Sequence, residues 1–377
     1  MAGIYIHIPF CKQACSYCNF HFATSLRRKN ELVAALLDEM ELRKDYLRHE
    51  HIETIYFGGG TPTLLPPADH AMLIKKINDT FKISPDAELT LEANPDDISE
   101  ERLKAWNEAG INRLSLGIQS FFDEDLKWMN RAHTAEQAAS SLRSAIKQFG
   151  NITIDLIYGT PTLTNEKWRK NVERAVLEGV VHLSCYALTV EPKTPLYNLI
   201  KEQKTKDIDP DKQSEQFLFL MQWMEEAGYD HYEISNFAKP GFRSRHNSSY
   251  WQGKKYLGIG PSAHSFDGNS RQWNVSNNKI YIDSIEKGMI PCEKETLSET
   301  QQLNEYIMTS LRTIDGLNLN KVKDVMGHKL RSGSRKFIER GLMAEENNHL
   351  KLTREGKLLA DGIAAELFFE DANRNIQ

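Results

Sequence analysis

The chain of 377 residues lacks any run of about 18 apolar residues, and its first residues lack the basic and then apolar pattern of a secretion signal. It also lacks a basic surplus, because 47 lysines and arginines stand against 52 aspartates and glutamates, for a net charge of −5. These absences argue against a transmembrane helix and against a general affinity for nucleic acid or anionic membranes. We therefore expect a cytoplasmic protein that does not bind nucleic acid. These absences do not exclude peripheral membrane contact through a local basic patch.

Cysteine is scarce too, since five residues in this length are too few and too uneven for a disulfide framework. Three of them, Cys11, Cys15 and Cys18, fall within eight positions in a CxxxCxxC spacing. Clustered thiols in a reducing compartment indicate metal binding or catalysis. Cys185 and Cys292 stand apart, and we interpret them as a buried small hydrophobic residue and an incidental thiol.

Short β-branched runs alternate with helical patterns from residue 3 to about 190, which is typical of βα units on a parallel sheet. The strand candidates are 3–8, 54–59, 88–93, 113–118, 152–157 and 182–188, and the helix candidates between them are 29–47, 67–81, 99–109, 134–149 and 166–178. Six strands are too few for a closed eightfold barrel. The sequence therefore predicts an α/β fold with an open, partial (β/α)6-type barrel over residues 1–235, completed by a helix near 210–227 and a strand at 229–234.

The rest of the chain divides into two further stretches. Residues 236–292 are rich in Asn, Ser, Gly and aromatics, and we predict long ordered loops there. Residues 293–377 show helical patterns, two short strands around a Glu-Asn-Asn turn in 342–353, and a last helix from about Arg354. This pattern predicts a smaller, winged-helix-like α+β domain.

The cysteine spacing has a specific chemical use, because three thiolates can ligate three irons of a [4Fe-4S] cluster and leave the fourth iron open. An open iron can chelate the amino and carboxylate groups of S-adenosylmethionine (SAM), and an electron from the cluster can then cleave that cofactor. The alternative is a zinc site in which His7 or His21 completes a Cys3His set. We favour the cluster, because zinc sites usually pair two CxxC-like knuckles and no second knuckle follows.

The segment HIPFCKQACSYCNF, followed by GGGTP at 58–62, resembles the radical SAM proteins related to oxygen-independent coproporphyrinogen III oxidase. The resemblance implies a cluster on Cys11, Cys15 and Cys18 and a SAM site at or near the strand ends. The residues it implies for SAM are Tyr5, Tyr17, Gly59, Gly60, Thr61, Glu92, Gln119, Arg131, Asp155 and Ala187. Carboxylates, an amide and a guanidinium facing one cavity suit a zwitterionic amino acid, a ribose and a sulfonium.

Two features separate this chain from the oxidases themselves. Phe20 stands where the oxidases carry a fourth cysteine, and Cys11 lies near the start of the sequence, whereas the oxidases have a substantial segment before their cysteines. We therefore do not expect decarboxylation of coproporphyrinogen III, although it is the alternative function, and radical chemistry on SAM stays open.

The hexapeptide His246-Asn247-Ser248-Ser249-Tyr250-Trp251 is similar to the HNxxYW sequence of the HemW-like heme chaperones. Imidazole is a good axial ligand for heme iron, and Tyr250 and Trp251 could cover a porphyrin face. The resemblance thus implies heme binding near the barrel mouth, an acceptor apoprotein and an electron donor for the cluster. A radical SAM enzyme that acts on nucleic acid is disfavoured by the missing basic surplus.

Overall fold

The computed structural model describes residues 1–48 and 50–370 and divides them into strands and helices that alternate over the first half of the chain. The strands are β1 Ala2–Ile8, β2 Ile52–Gly59, β3 Ile83–Ala93, β4 Arg113–Gln119, β5 Ile152–Tyr158, β6 His182–Ala187, β7 Asp230–Glu233, β8 Asn236–Ala238, β9 Lys255–Ile259, β10 His264–Phe266, β11 Ser270–Asn274, β12 Cys292–Thr296, β13 Leu317–Asn318, β14 Met343–Glu346 and β15 His349–Leu352. The helices are α1 Lys29–Leu42, α2 Pro67–Thr80, α3 Glu100–Glu108, α4 Asp123–Trp128, α5 Ala135–Gln148, α6 Asn165–Leu177, α7 Pro195–Lys201, α8 Pro210–Glu226, α9 Arg245–Trp251, α10 Asn278–Ile285, α11 Glu299–Leu311, α12 Asp324–Glu339 and α13 Ala360–Glu366.

Strands β1 to β6 lie side by side in chain order and pair in parallel, which confirms the predicted α/β partial barrel. Each of the six strand candidates forms a strand, and each of the five helix candidates between them forms a helix. Ser99 caps α3 by accepting a hydrogen bond from the backbone N–H of Arg102. The short helices α4 and α7 were missed, because six or seven residues carry too little periodicity to stand out from a loop.

The prediction of long loops over residues 236–292 is wrong. This stretch forms β8, α9, β9, β10, β11 and α10, and β9 pairs in parallel with the outer edge of β1. Strands β10, β11 and β12 then continue the same sheet in antiparallel pairing. These strands are short and polar on one face, so they lack the apolar runs that identify buried strands, and their hydrogen bonds depend on β1, more than 240 residues away.

The strands of the barrel divide their side chains between two faces, because successive residues of a strand point in opposite directions. In β1, Ile4, Ile6 and Ile8 join the apolar core under the helices, whereas Tyr5 and His7 lie on the other face. The same division runs through β2 to β6. The inner face of the barrel is therefore mainly polar.

The C-terminal part builds a separate apolar core from α11, α12, α13 and a small sheet in the order β13-β15-β14. This arrangement confirms the smaller α+β domain. Asn347 and Asn348, both with positive φ (49° and 60°), form the tight turn between β14 and β15. The last helix begins at Ala360 rather than near Arg354, since a 3₁₀ turn over Gly356–Leu359 comes first. Among the described residues, no helix is both long and apolar enough to cross a bilayer.

A buried ion network joins the barrel to the strands added beyond β1. Glu39 of α1 has no exposed surface, and its two oxygens accept hydrogen bonds from Arg43 Nε (2.8 Å), Asn274 Nδ2 (2.8 Å), the Gly260 N–H (2.8 Å) and the Tyr281 hydroxyl (2.5 Å). Four separate segments thus meet on one carboxylate, and each of its partners would lose a buried hydrogen bond without it.

We predict that Glu39→Ala lowers the free energy of unfolding by about 3–5 kcal/mol, because it leaves the Arg43 guanidinium buried without its counter-charge. Urea unfolding followed by circular dichroism measures the loss. The matched control is Glu166→Ala on the exposed face of α6, where the pair with Lys170 is open to solvent. Equal unfolding midpoints for the two variants would show that the network does not stabilise the fold.

Candidate functional site

A cavity of about 590 Å³ opens at the carboxyl ends of β1 to β6, the end at which barrels of this kind carry their sites. All of the residues predicted for the cluster and for SAM line it: Tyr5, Cys11, Cys15, Tyr17, Cys18, Gly59, Gly60, Thr61, Glu92, Gln119, Arg131, Asp155 and Ala187. Residues separated by up to 182 positions in the sequence therefore meet at one place.

The glycines after β2 let the cysteine loop approach closely. A Cβ atom on Gly60 would lie 2.5 Å from the Phe10 carbonyl oxygen and 3.0 Å from Cys11 Sγ. Gly60 donates its N–H to the Ile8 carbonyl (2.9 Å), and Thr61 donates its own to the Phe10 carbonyl (2.6 Å). Gly59 has φ +111°, and a Cβ there would collide with the His7 ring. The glycine segment therefore holds the cysteine loop on the end of β2.

The three thiols lie in different polar surroundings at the rim of the cavity. Cys11 Sγ accepts a long contact from the Thr61 hydroxyl (3.8 Å), and Cys15 Sγ accepts a hydrogen bond from Arg131 Nη1 (3.3 Å). Burial raises the pKa of the Cys11 thiol to about 11, and it raises the pKa of Cys18 as well. The Cys11 and Cys18 thiols therefore hold their protons at neutral pH, so ligation of iron by them would release protons.

The donor set fits an iron-sulfur cluster better than a zinc ion. Both ring nitrogens of His7 are hydrogen-bonded, to the Tyr5 hydroxyl (3.2 Å) and to the His21 carbonyl (3.1 Å), and His21 Nε2 pairs with Asn278 Oδ1 (2.7 Å). Within residues 1–48 and 50–370, no three His, Cys, Asp or Glu side chains are grouped to hold a metal ion. A [4Fe-4S] cluster held by three cysteines needs no histidine ligand, because each thiolate binds a different iron.

Two carboxylates face the cavity deeper in the barrel. Glu92 accepts the Tyr56 hydroxyl at Oε1 (2.8 Å) and the Gly59 N–H at Oε2 (3.2 Å). Burial raises the pKa of Glu92 to about 7 and that of Asp155 to about 6. The Glu92 pKa is raised further by the charge of Asp155 and lowered by its two hydrogen bonds. Ligand cations or hydroxyls would stabilise the ionised form of both groups.

Arg131 lies between the cysteine loop and the strand ends. Its Nη2 donates to Asn94 Oδ1 (2.6 Å) and to the Gly117 carbonyl (2.9 Å). Its Nε is buried with no hydrogen-bond partner among the described residues. The guanidinium thus keeps one buried N–H donor that is not paired within the described residues.

Gln119 shows backbone strain, since it has φ +65°, in the left-handed region that glycine favours. Strained backbone of this kind is concentrated at functional sites. Gln119 lines the cavity, which is consistent with such a site. A side chain on Gly117 would crowd both Gln119 and Arg131, at 3.1 and 3.2 Å.

Sequence reasoning missed Asn94, Gly117 and Tyr56. Asn94 and Gly117 each lie two residues from a predicted position, Glu92 and Gln119, and both accept hydrogen bonds from Arg131. Tyr56 could have been found by strand alternation, since it points to the same face of β2 as Gly58. Its hydrogen-bond partner, Glu92, lies in β3, so the sequence of β2 alone does not predict this contact.

The HNSSYW segment lies elsewhere, and its predicted place near the barrel mouth is wrong. It forms α9, whose first N–H groups at Arg245 and His246 donate to the Glu88 carboxylate (3.0 and 2.9 Å) at the opposite end of the barrel. His246 is only 1% exposed, and its ring nitrogens bond to Thr54 Oγ1 (2.8 Å) and the Tyr250 hydroxyl (3.0 Å). Trp251 packs under the Arg312 guanidinium, 5.3 Å from its ring centre, toward the C-terminal domain.

Phe20 lines the cavity mouth with 69% of its surface exposed. A phenyl ring in that position offers no ligand atom. It instead presents an apolar face to solvent directly beside the cysteine loop.

Comparisons with known proteins agree with this architecture. Residues 5–175 match the Radical SAM superfamily, and residues 297–359 match the HemN C-terminal domain. The fold resembles coproporphyrinogen III oxidase (HemN) from Escherichia coli, a radical SAM enzyme, with a TM-score of 0.84 over 97% of this chain and 90% of that one, at 23% identity.

The sequence relatives extend over nearly the whole chain. It is 36% identical to the heme chaperone HemW of Bacillus subtilis over 96% of its own length and 98% of that protein. It is 31% identical to the heme chaperone HemW of Lactococcus lactis over 98% of both. The chain therefore belongs to the HemW family of radical SAM proteins.

Proposed function

We propose that this protein is a heme chaperone, which binds heme and passes it to an acceptor apoprotein, and that its cavity holds a [4Fe-4S] cluster and SAM. The observation that carries the proposal is the full-length likeness to relatives named heme chaperone HemW. The cavity supports it, because every residue implied for the cluster and SAM lines the same space.

In this proposal Cys11, Cys15 and Cys18 ligate the cluster, which when bound supplies an electron to SAM. A separate donor protein would reduce the cluster held by these three cysteines. Arg131 balances the negative charge of the thiolates from its bond to Cys15 and offers its free Nε to the SAM carboxylate.

The remaining lining residues suit the other parts of SAM. Glu92 and Asp155 accept hydrogen bonds from its ammonium or hydroxyl groups, and the Gln119 amide and the backbone at Gly59, Gly60 and Thr61 approach it closely. Tyr17 supplies a flat face for adenine, and Tyr5 and Ala187 complete the walls.

Heme ligation by His246 requires a second conformation. Both ring nitrogens are hydrogen-bonded and the side chain is buried, so the ring can reach an iron only if α9 leaves the end of the barrel. Helix α9 is seven residues long, and short elements open at lower cost than the core of a sheet. In that opened state Tyr250 and Trp251 could cover the porphyrin.

The first prediction concerns the cluster. Protein reconstituted without oxygen should be brown with roughly four irons per chain, and replacing Cys11, Cys15 and Cys18 together by alanine should abolish both colour and iron. Iron analysis and visible absorbance measure this. The controls Cys185→Ala and Cys292→Ala should retain the cluster. Stoichiometric zinc without iron-sulfur absorbance would refute the assignment.

A second prediction separates the proposal from the oxidase alternative. The cluster-loaded protein with SAM should not convert coproporphyrinogen III to protoporphyrinogen IX, because Phe20 replaces a cysteine that the oxidases carry. Product is measured by its fluorescence after oxidation. Turnover on the order of one per second would restore the oxidase function.

A third prediction concerns heme. The wild type should bind heme, His246→Ala should weaken binding and shift the Soret band, and Thr54→Val should strengthen binding about fivefold, because it removes one bond that holds the ring in its buried place. Anaerobic titration followed by absorbance gives the affinities.

The matched control is His328→Ala, which removes an exposed histidine of α12. It should leave the affinity and the spectrum as in the wild type. If His246→Ala behaves like His328→Ala, the iron ligand is another residue; if the wild type binds no heme, the chaperone function itself is excluded.

A further inference from the structure

Two tyrosines lie side by side on the inner face of the barrel, and Tyr5 also lines the cavity. Tyr5 of β1 and Tyr56 of β2 are direct partners in the parallel register, and their rings stack with centres 6.0 Å apart and planes 26° from parallel. The space above them is kept open by Gly58, where a Cβ atom would lie 2.9 Å from the Tyr56 ring, 3.0 Å from the Tyr5 ring and 3.0 Å from Glu92 Oε1. Both tyrosine rings and the Glu92 carboxylate therefore lie close to Gly58.

Tyr56 makes a specific contact with that carboxylate. Its hydroxyl donates to Glu92 Oε1 at 2.8 Å, while the Gly59 N–H donates to Oε2. These two donors, both from β2, fix the plane of the carboxyl group. The remaining lone pairs of the carboxylate are left for a ligand in the cavity.

The HNSSYW segment lies under the same tyrosine. The His246 ring stacks on Tyr56 with centres 4.8 Å apart and planes 25° from parallel, and it lies 6.4 Å from the Tyr5 ring. Thr54 and Tyr250 hold the two nitrogens of His246, and a side chain on Gly3 would collide with Thr54 and touch the His246 ring. The imidazole is thus held by two hydrogen bonds and packs flat against the Tyr56 ring.

We propose that Tyr56 is a positioning residue for SAM binding, which orients Glu92, and that His246 supports Tyr56 from below, so that the HNSSYW segment acts on the SAM site. The inference rests on the proposed function, because it requires that Glu92 contacts SAM. It assigns to His246, in the closed barrel, a role distinct from heme ligation.

The contact also affects the charge state of Glu92. A hydroxyl that donates to a carboxylate favours its ionised form, so loss of the Tyr56 hydroxyl raises the pKa of Glu92 above its value of about 7. SAM, a cation at its sulfonium and ammonium groups, binds the ionised form more tightly. Its affinity should therefore fall as the pH falls through this pKa, and the fall should begin at a higher pH in Tyr56→Phe.

Other ionisable groups face Glu92 from the elements around it and remain the same in both proteins. They are Tyr5 from β1, Asp155 from β5, Tyr186 from β6 and Tyr250 from α9, with Arg113 of β4 acting on Tyr56 and Asp155. Asp155, with a pKa of about 6, adds its own change at lower pH. The informative quantity is thus the difference between wild type and variant.

The experiment measures the SAM dissociation constant of the cluster-loaded protein by anaerobic calorimetry between pH 6 and 8.5, with circular dichroism to verify folding. Tyr56→Phe should weaken binding about tenfold at pH 7, as expected for losing a hydrogen bond to a charged group, and should recover toward the wild type at high pH. His246→Ala should change binding in the same direction.

The matched control is Tyr229→Phe, because it also removes one buried phenol hydroxyl. That hydroxyl bonds to the Val180 carbonyl away from the cavity, so its loss should leave the SAM affinity unchanged.

Glu92→Gln distinguishes this inference from the proposed function. If Glu92→Gln keeps wild-type affinity, the proposed SAM site is wrong. If it weakens binding while Tyr56→Phe matches the wild type at every pH between 6 and 8.5, the positioning role is overturned. If His246→Ala folds and matches the wild type while Tyr56→Phe does not, the HNSSYW segment has no part in the SAM site.

Discussion

The close approach of the glycine segment to the cysteine loop is the contact on which the cavity depends. The chain leaves β1, turns through the cysteines and returns to helix α1, and the turn is held by backbone bonds from Gly60 and Thr61 to Ile8 and Phe10. Because a Cβ at Gly60 would lie 2.5 Å from a carbonyl oxygen, only glycine permits these bonds. The same bonds place Thr61 beside Cys11 and orient the thiols toward the cavity.

The polar inner face of the barrel keeps the cavity open below the cysteine loop. A wholly apolar interior would pack tightly and leave no room for a cofactor, whereas here the inner side chains are tyrosines, carboxylates, hydroxyls and glycines that bond to one another. Helix α9 closes the lower end by placing its first N–H groups on Glu88 and its imidazole on Tyr56. The two ends of the barrel are therefore linked through a continuous set of buried contacts, and a change at α9 is transmitted to Glu92 through one ring and one hydroxyl.

Strands β9 to β12 complete the barrel sheet at the edge of β1, although none of the sequence motifs predicted them. They cover the edge of β1, which would otherwise expose unpaired backbone groups, and Glu39 ties them to α1. On the other side, β8 and β7 cover β6 in antiparallel pairing. Both edges of the parallel sheet are thus finished by segments from the second half of the chain.

The sequence by itself determined the βα alternation, the cysteine spacing and the glycines, since each depends on residues that are close along the chain. The resemblance to radical SAM proteins implied the residues that line the cavity, and the fold gathers them because parallel strands bring their carboxyl ends together in such a barrel. It did not determine the place of His246, because the six residues of this segment do not by themselves indicate whether they form an exposed loop or a buried helix. Only the tertiary structure decided that place, because the groups that bury and bond the ring, Thr54 and Tyr56, belong to a strand about 190 residues earlier in the chain.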